Sequence, residues 1–294
     1  MTGQYSDGFR LSITKALSTQ LYAALEALEP APLTMENLDA LNAQAAKLGL
    51  DSLSGVYQLY RQKPTAGREL TYVGKADQPL PKRLGEHLFK LSGRVGISID
   101  EISFKCLFVE EDLSAVSPEK MLIKRHLETS AIVWNNRGFG INDPGRNRDG
   151  TVLKDTHFDL EYRIDLDREI SGLRAGPQSL RDLLQVVKAG VPYIFRYQRS
   201  ASFKDKLVTV PSANMSVDEI FRLIAGRLEQ SWKISALVGW TIMYPDNNRS
   251  YPSAFRYYHS SGAVADAIPR TKQAGESDAD DHGSGGDEDE SILF

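Results

Sequence analysis

Cysteine is nearly missing: the 294 residues contain one, Cys106. No intrachain disulfide can form, and no zinc or iron–sulfur site can be built on cysteine. Cys106 sits in the strand-like run Ile102 to Val109 and reads as a small core residue. Long apolar runs are missing too. No stretch reaches the roughly 20 residues that a membrane span requires, and the N-terminus opens without a long apolar segment. A soluble, reducing, cytoplasmic setting with no membrane contact is therefore expected. Internal repeats are absent. So are lysine and arginine after Lys272, where Glu276, Asp278, Asp280, Asp281, Asp287, Glu288, Asp289 and Glu290 accumulate.

That tail changes the meaning of the formal net charge of −4. Without its eight acids the chain holds 31 acidic against 35 basic residues, about +4, so the overall balance does not exclude a polyanionic partner. The tail itself has too little apolar surface to offset chain entropy and is expected to be disordered. It either mimics nucleic acid over a basic cleft or only aids solubility.

What is present begins with two tyrosines 15 residues apart, in Gly55-Val56-Tyr57 and Tyr72-Val73-Gly74. Gly55 to Arg61 and Glu69 to Gly74 are rich in valine, tyrosine and threonine, and Pro64 and Gly67 between them suit a loop joining antiparallel strands. Both phenols then lie on adjacent strands. A phenol of pKa about 10 moves a proton near neutrality only where a cation or metal-bound water favours the phenolate. Otherwise the two rings simply pack on a half-buried sheet.

A helix follows. Pro81 suits its first position, and Leu84, Leu88 and Leu91 form the buried stripe. Arg83, Glu86, His87 and Lys90 share the other face, where Arg83 and His87, one turn apart, can converge on a phosphate if that face borders the hairpin. The alternative is a solvated charged face. Ser117 and Pro118 then start a helix whose apolar stripe is Leu122, Ile123 and Leu127. At about 100° per residue, Glu119 falls within that stripe with His126, whereas Glu128 falls opposite, with Lys124 and Arg125. A carboxylate aimed into a core needs a partner or a metal, which singles out Glu119 as a metal ligand. In the first turn it can also just complement the helix dipole. Asn135, after Trp134, holds a phosphate oxygen or the hairpin backbone, or is an ordinary turn residue. Beyond it Arg137, Arg146 and Arg148 lie among glycines, which can bring guanidinium groups and backbone amides to a nucleic acid.

In this order, Gly55-Val56-Tyr57, Tyr72-Val73-Gly74-Lys75-Ala76, Arg83-Leu84-Gly85-Glu86-His87, Pro118-Glu119, Trp134-Asn135 and Gly138-Phe139-Gly140, the chain resembles the GIY-YIG nuclease superfamily. The likeness runs from about Ser54 to Arg148 and is to the type II restriction endonucleases, in particular the group that cuts CCGCGG. It implies an α+β fold, a small antiparallel or mixed sheet flanked by helices, and Mg²⁺-dependent hydrolysis of double-stranded DNA, with Mn²⁺ able to substitute. Tyr57 would be the general base or its relay, and Tyr72 would position the attacking water or scissile phosphate. Arg83 would stabilise the phosphorane charge, His87 would assist at the phosphate, Glu119 would bind the metal and Asn135 would orient the cleft. A palindromic target implies a homodimer or higher oligomer, and restriction implies a DNA methyltransferase as functional partner. The alternatives are a catalytically inactive DNA-binding protein on this fold and a repair or mobile-element nuclease.

We divide the chain into an N-terminal helical segment 1–50, a catalytic core 51–150, a C-terminal α/β extension 151–262 and the acidic tail 263–294. Thr14 to Leu28 and Thr34 to Leu48, the latter ended by Gly49, read as a helical hairpin. In the extension, Ser179 to Lys188 reads as a helix, and Pro192 to Gln198, Lys206 to Val210 and Ile234 to Tyr244 as strands. Ser216 and Glu219 form a capping box for a helix reaching about Gln230. Arg196, Arg199, Lys204, Lys206, Arg249 and Arg256 near Tyr193, Tyr197, Tyr251, Tyr257 and Tyr258 suit a DNA-facing surface or an ordinary mixed one.

Overall fold

The computed structural model describes residues 13–50, 52–64, 67–109, 132–140 and 145–273. Helix α1, Ile13–Glu26, leads through the two-residue strand β1, Ala31–Pro32, into α2, Met35–Leu48. Thr34 caps α2 by accepting from Asn37 N, and Gly49 closes it in the left-handed conformation with φ 65. Both expected helices are present, but they do not pack as a hairpin: strand β1 lies between them, and they cover opposite faces of the sheet it joins, one through Leu21 and Leu25 of α1, the other through Leu38 and Leu41 of α2.

The long strands β2, Gly55–Lys63, and β3, Gly67–Ala76, pair antiparallel, as their composition predicts. Helix α3, Leu80–Ser92, starts one residue before Pro81, and β4, Ile102–Phe108, returns to pair with β2 on its other side. The sheet order is β1-β4-β2-β3. Strand alternation decides what each face meets. Val56 and Val73 point toward Leu21 and Leu25 of α1, while Tyr57, Leu59 and Tyr72 point toward α3 and toward Leu38 and Leu41 of α2. Covered on both faces, the hairpin needs apolar side chains on both, hence its density of valine, leucine and tyrosine. Cys106 lies opposite Tyr57 on β4, and burial pushes its thiol up to about 12.

Strand β5, Leu153–Lys154, and the short helix α4, Phe158–Glu161, lead to β6, Gly176–Ser179, and α5, Leu180–Gly190. Then come β7, Phe195–Tyr197, β8, Leu207–Val210, and α6, Val217–Ala225, which carries the capping box of Ser216 and Glu219. Helix α6 stops well short of Gln230. The run Ile234 to Tyr244 is not one strand but two, β9, Lys233–Leu237, and β10, Thr241–Tyr244, paired antiparallel across Val238-Gly239-Trp240. Every position of the run is buried, Ser235 and Thr241 included, so no alternation of burial marks the turn. Strands β11, Ala254–His259, and β12, Val264–Asp266, complete a sheet of order β12-β11-β9-β10-β7. Helices α5 and α6 and one face of that sheet form the largest core, around Leu184, Ile220, Phe221 and Ile234.

Residues 263–273, assigned to the tail from composition, are structural. Strand β12 pairs with β11, and β13, Thr271–Lys272, lies parallel to β5. The acids from Glu276 to Glu290 lie outside the described residues. No helix among the described residues is long and apolar enough to cross a membrane.

Arg94, just past α3, joins the two sheets. Its Nη1 is 3.0 Å from Asp159 Oδ1, and it donates to the carbonyls of Tyr162, Val238 and Gly239 at 3.1, 3.2 and 3.3 Å. Both charges are almost wholly buried, so removing one partner would cost about 3–5 kcal/mol. Gly239 leaves this carboxylate its room, because a Cβ there would come within 2.9 Å of Asp159 Cγ.

Candidate active site

Register brings the tyrosines together. Tyr57 pairs with Gly74 and Leu59 with Tyr72, so the phenols are diagonal neighbours on one face, ring centroids 6.0 Å apart. Gly74 makes this possible. A Cβ there would overlap the Tyr57 ring and hydroxyl and approach Tyr72 Cε1 to 2.8 Å.

Helix α3 crosses this face, and its polar residues do not share one face opposite the leucines as the periodicity predicts. His87 is only 2% exposed, on the buried side with Leu84 and Leu91. Leucine alone therefore does not define the buried side; the face toward Tyr57 and Tyr72 accepts an imidazole because a phenol hydroxyl partners it. Lys82, Glu86 and Phe89 form the exposed strip, with Arg83 and Lys90 half-buried at its edges.

Tyr57 Oη is 2.7 Å from His87 Nε2, and Arg83 Nε donates to the same oxygen at 3.3 Å. Burial, then the charges of Arg83 and Lys90, push the His87 pKa well below its ordinary value. The ring is neutral at pH 7, and Nε2 can accept the phenol proton while Arg83 supports the oxygen. Arg83 itself stays charged. Burial opposes its charge, but the Tyr57 hydroxyl and the Glu86 carboxylate raise its pKa above the ordinary value. Its Nη1 donates to Glu86 Oε2 at 2.9 Å and its Nη2 to Gly140 O at 3.0 Å.

The strip 132–140 closes the site from the free edge of β3. Trp134 N donates to Thr71 O at 2.8 Å. The Asn135 amide accepts from Val73 N and donates to Val73 O, both at 2.9 Å. Of the three roles open to Asn135, it takes the second: both ends of its amide hold the hairpin backbone, in place of a neighbouring strand. Phe139 then stacks on His87 at 4.9 Å and meets the Tyr72 ring edge-on at 4.9 Å. Gly140 passes so close to Tyr72 that a Cβ would overlap the hydroxyl.

Beside this cluster, between α3 and the Val238-Gly239-Trp240 turn, lies a cleft of about 580 Å³ lined by Arg83, His87, Lys90, Arg148, Phe139 and Trp240, among others. Lys90 donates to Phe139 O at 2.7 Å, and burial pushes its pKa down to about 8, with Asp159 opposing. Next to it, His157 Nδ1 accepts from Asp159 N at 3.1 Å, so the 3.8 Å approach of that nitrogen to Asp159 Oδ2 is not an ion pair. Asp149 anchors the arginine-rich loop: its carboxylate receives Arg196 at 2.7 Å, Trp240 Nε1 at 2.8 Å and the Tyr244 hydroxyl at 3.2 Å. That anchor fixes the neighbouring Arg148 at the cleft. Sequence patterning gave no sign of Lys90, Phe139, Asp149 or Asp159 in these roles, since each partner is remote in the chain.

Glu119, the expected metal ligand, lies outside the described residues, as do Glu128 and His126. Among the described residues no group of three or more His, Cys, Asp or Glu side chains is placed to hold a metal ion.

The basic and aromatic residues of the extension do not form one free surface. Arg196 is paired with Asp149, Arg256 with Asp218 and Asp266, and Lys206 with Glu229. Tyr193 and Tyr258 are buried and donate to Asp165 O and Asp218. Arg199 and Lys204 are exposed. Interleaving in sequence thus came largely from ion pairs and buried phenols within the α/β fold.

No known family model matches this chain, and no curated protein matches it.

Proposed function

We propose that this chain is a site-specific deoxyribonuclease of the GIY-YIG kind, hydrolysing phosphodiester bonds of double-stranded DNA at a short GC-rich palindrome with Mg²⁺. The observation that carries the reading is the convergence of Tyr57, His87 and Arg83 within hydrogen-bond reach, beside Tyr72 and at the wall of a cationic cleft. Four residues quoted from three separate segments meet there, and each has a task in phosphodiester hydrolysis. Neutral His87 lines the cleft and accepts the phenol proton of Tyr57 on Nε2. Tyr57, fully buried beside it, hands over that proton and fixes the imidazole. Arg83 supplies the counter-charge for the pentacovalent phosphorus. Tyr72 orients water or phosphate, and Asn135 keeps β3 in place.

Among the described residues this set is phenolic and cationic, so fit to Mg²⁺ falls on Glu119; one carboxylate with several waters is an ordinary Mg²⁺ complement. When bound, the ion supplies an activated water and stabilises the leaving oxygen. A palindrome presents two equivalent strands, so the active form is a homodimer or a dimer of dimers, paired in the cell with a methyltransferase that protects the same site.

Digestion of unmethylated plasmid with Mg²⁺ or Mn²⁺, followed by sequencing of the ends, tests this reading. Defined ends at one palindrome are expected. Duplex binding without any cleavage would instead identify a DNA-binding protein, and random nicks would favour a repair nuclease.

A further inference from the structure

The cleft continues beyond Arg83 and His87. Arg94 is consumed by Asp159 and four carbonyls, those of Lys90, Tyr162, Val238 and Gly239, and Arg83 by Tyr57, Glu86 and Gly140. Two further cations line the same wall. Lys90 lies three residues beyond His87 on α3, about 4.5 Å of helical rise, of the order of the roughly 3.4 Å rise between successive phosphates of one strand. One of its three N–H groups holds Phe139 O at 2.7 Å, and the ammonium sits over the rings of Phe139 and Phe158 at 5.1 and 5.2 Å. Arg148 comes from the loop that Asp149 anchors. Among the described residues no carboxylate forms an ion pair with Lys90 or Arg148.

Electrostatics makes this wall favourable to an anion. Burial lowers the Lys90 pKa, the charges of Arg94, Arg148 and Arg83 lower it further, and Asp159 alone opposes them. At the mouth, Phe89 and Ile194 expose 48% and 42% of their surfaces, apolar side chains beside a cationic floor, a combination that fits a sugar–phosphate backbone.

We infer that this end of the cleft is a second phosphate subsite, in which Lys90 and Arg148 hold the backbone phosphate next to the one being cleaved while Phe89 and Ile194 flank the intervening sugar. The inference rests on the nucleic-acid reading above. It assigns strand positioning, and not the chemical step, to these four residues.

The test is the salt dependence of binding to a fluorescent duplex, measured by anisotropy in EDTA so that nothing is cut. Each phosphate contact removed lowers the slope of log K against log salt by about 1. Lys90→Met and Arg148→Met should each lose that much, Arg148→Lys should keep the wild-type slope, and in cleavage assays KM should rise more than kcat falls. Lys90→Met also frees Phe139 O and can loosen the 138–140 strip; Arg148→Met has no such contact and carries the test alone if the lysine variant fails to fold. Wild-type slopes in Arg148→Met, with tight binding by the wild type, would overturn the subsite and leave the nuclease reading standing. Failure of the wild-type protein to bind duplex at all would overturn both.

Discussion

Tyr57 Oη and His87 Nε2, thirty residues apart in the chain, meet at 2.7 Å inside the protein, with Arg83 Nε on the same phenol oxygen. A phenol that only packed would need one hydrogen-bond partner. This one bridges a neutral base and a permanent cation, so the proton can move toward the imidazole while the oxygen keeps a positive neighbour. Tyr57→Phe keeps the ring and should lower the single-turnover cleavage rate about 10²–10⁴-fold. It also leaves the buried His87 Nε2 and the half-buried Arg83 Nε without the phenol, so stability should fall by about 1–3 kcal/mol. If the two residues act as one unit, adding His87→Phe should cost little more rate than the worse single change. Cleavage near the wild-type rate on both sides of neutrality would remove the pair from the mechanism.

Arg83 uses its fork on three oxygens from three segments, Tyr57, Glu86 and Gly140. Lysine carries the charge but cannot span that geometry. Arg83→Lys should therefore behave much like Arg83→Ala, with cleavage reduced about 10²–10³-fold and duplex affinity changed far less. Full activity in the lysine variant, measured with saturating DNA, would mean that charge alone matters.

Two glycines make a matched pair of opposite sign. A Cβ on Gly140 would overlap the Tyr72 hydroxyl, so Gly140→Ala should displace that phenol, slow cleavage and cost about 1–3 kcal/mol in urea unfolding. At Gly85, inside α3, the nearest atom to a new Cβ is Leu38 Cδ1 at 3.8 Å. Gly85→Ala should raise stability by about 0.5–1 kcal/mol through helix propensity. An unaffected Gly140→Ala would show that the strip does not press on Tyr72.

Lys90 predicts a pH effect on stability. Its folded pKa of about 8 lies below the 10.5 of a free lysine, so between these values the unfolded chain binds more protons than the folded one. Stability attributable to this group therefore rises as pH increases through that window, and its cost is fully present below pH 8. The facing charges are Asp159, Arg94, Arg148 and Arg83, with Phe139 O as hydrogen-bond acceptor. Denaturation of wild type and Lys90→Met from pH 7.5 to 10.5 should show the difference between them shifting in favour of the wild type by a few kcal/mol, at about 1.4 kcal/mol per pKa unit. A constant difference would place Lys90 in solvent.

Local chemistry made much of this protein legible in its sequence. Thr34, Ser179 and Ser216 each precede a helix whose first-turn N–H groups need an acceptor, and each one caps. The hairpin is announced by its β-branched and aromatic content, and the two tyrosines by their place in it. The single strand read from Ile234 to Tyr244 failed because every residue of the run is buried, so no alternation marks where the turn at Gly239 interrupts it.

The sequence by itself determined the elements and the order of their polar residues, because capping, alternation and turn chemistry act over a few neighbouring positions. Only the tertiary structure decided which of those residues meet. Gly74 opposite Tyr57 is set by strand register, the inward turn of His87 by the sheet that α3 lies on, and the double hold of Asn135 on Val73 by the open edge of β3. Arg94 and Asp159, 65 positions apart, find each other only because two sheets pack there, and the cleft exists only between those sheets. Such contacts depend on burial and distance across the fold, which no periodicity along the chain encodes.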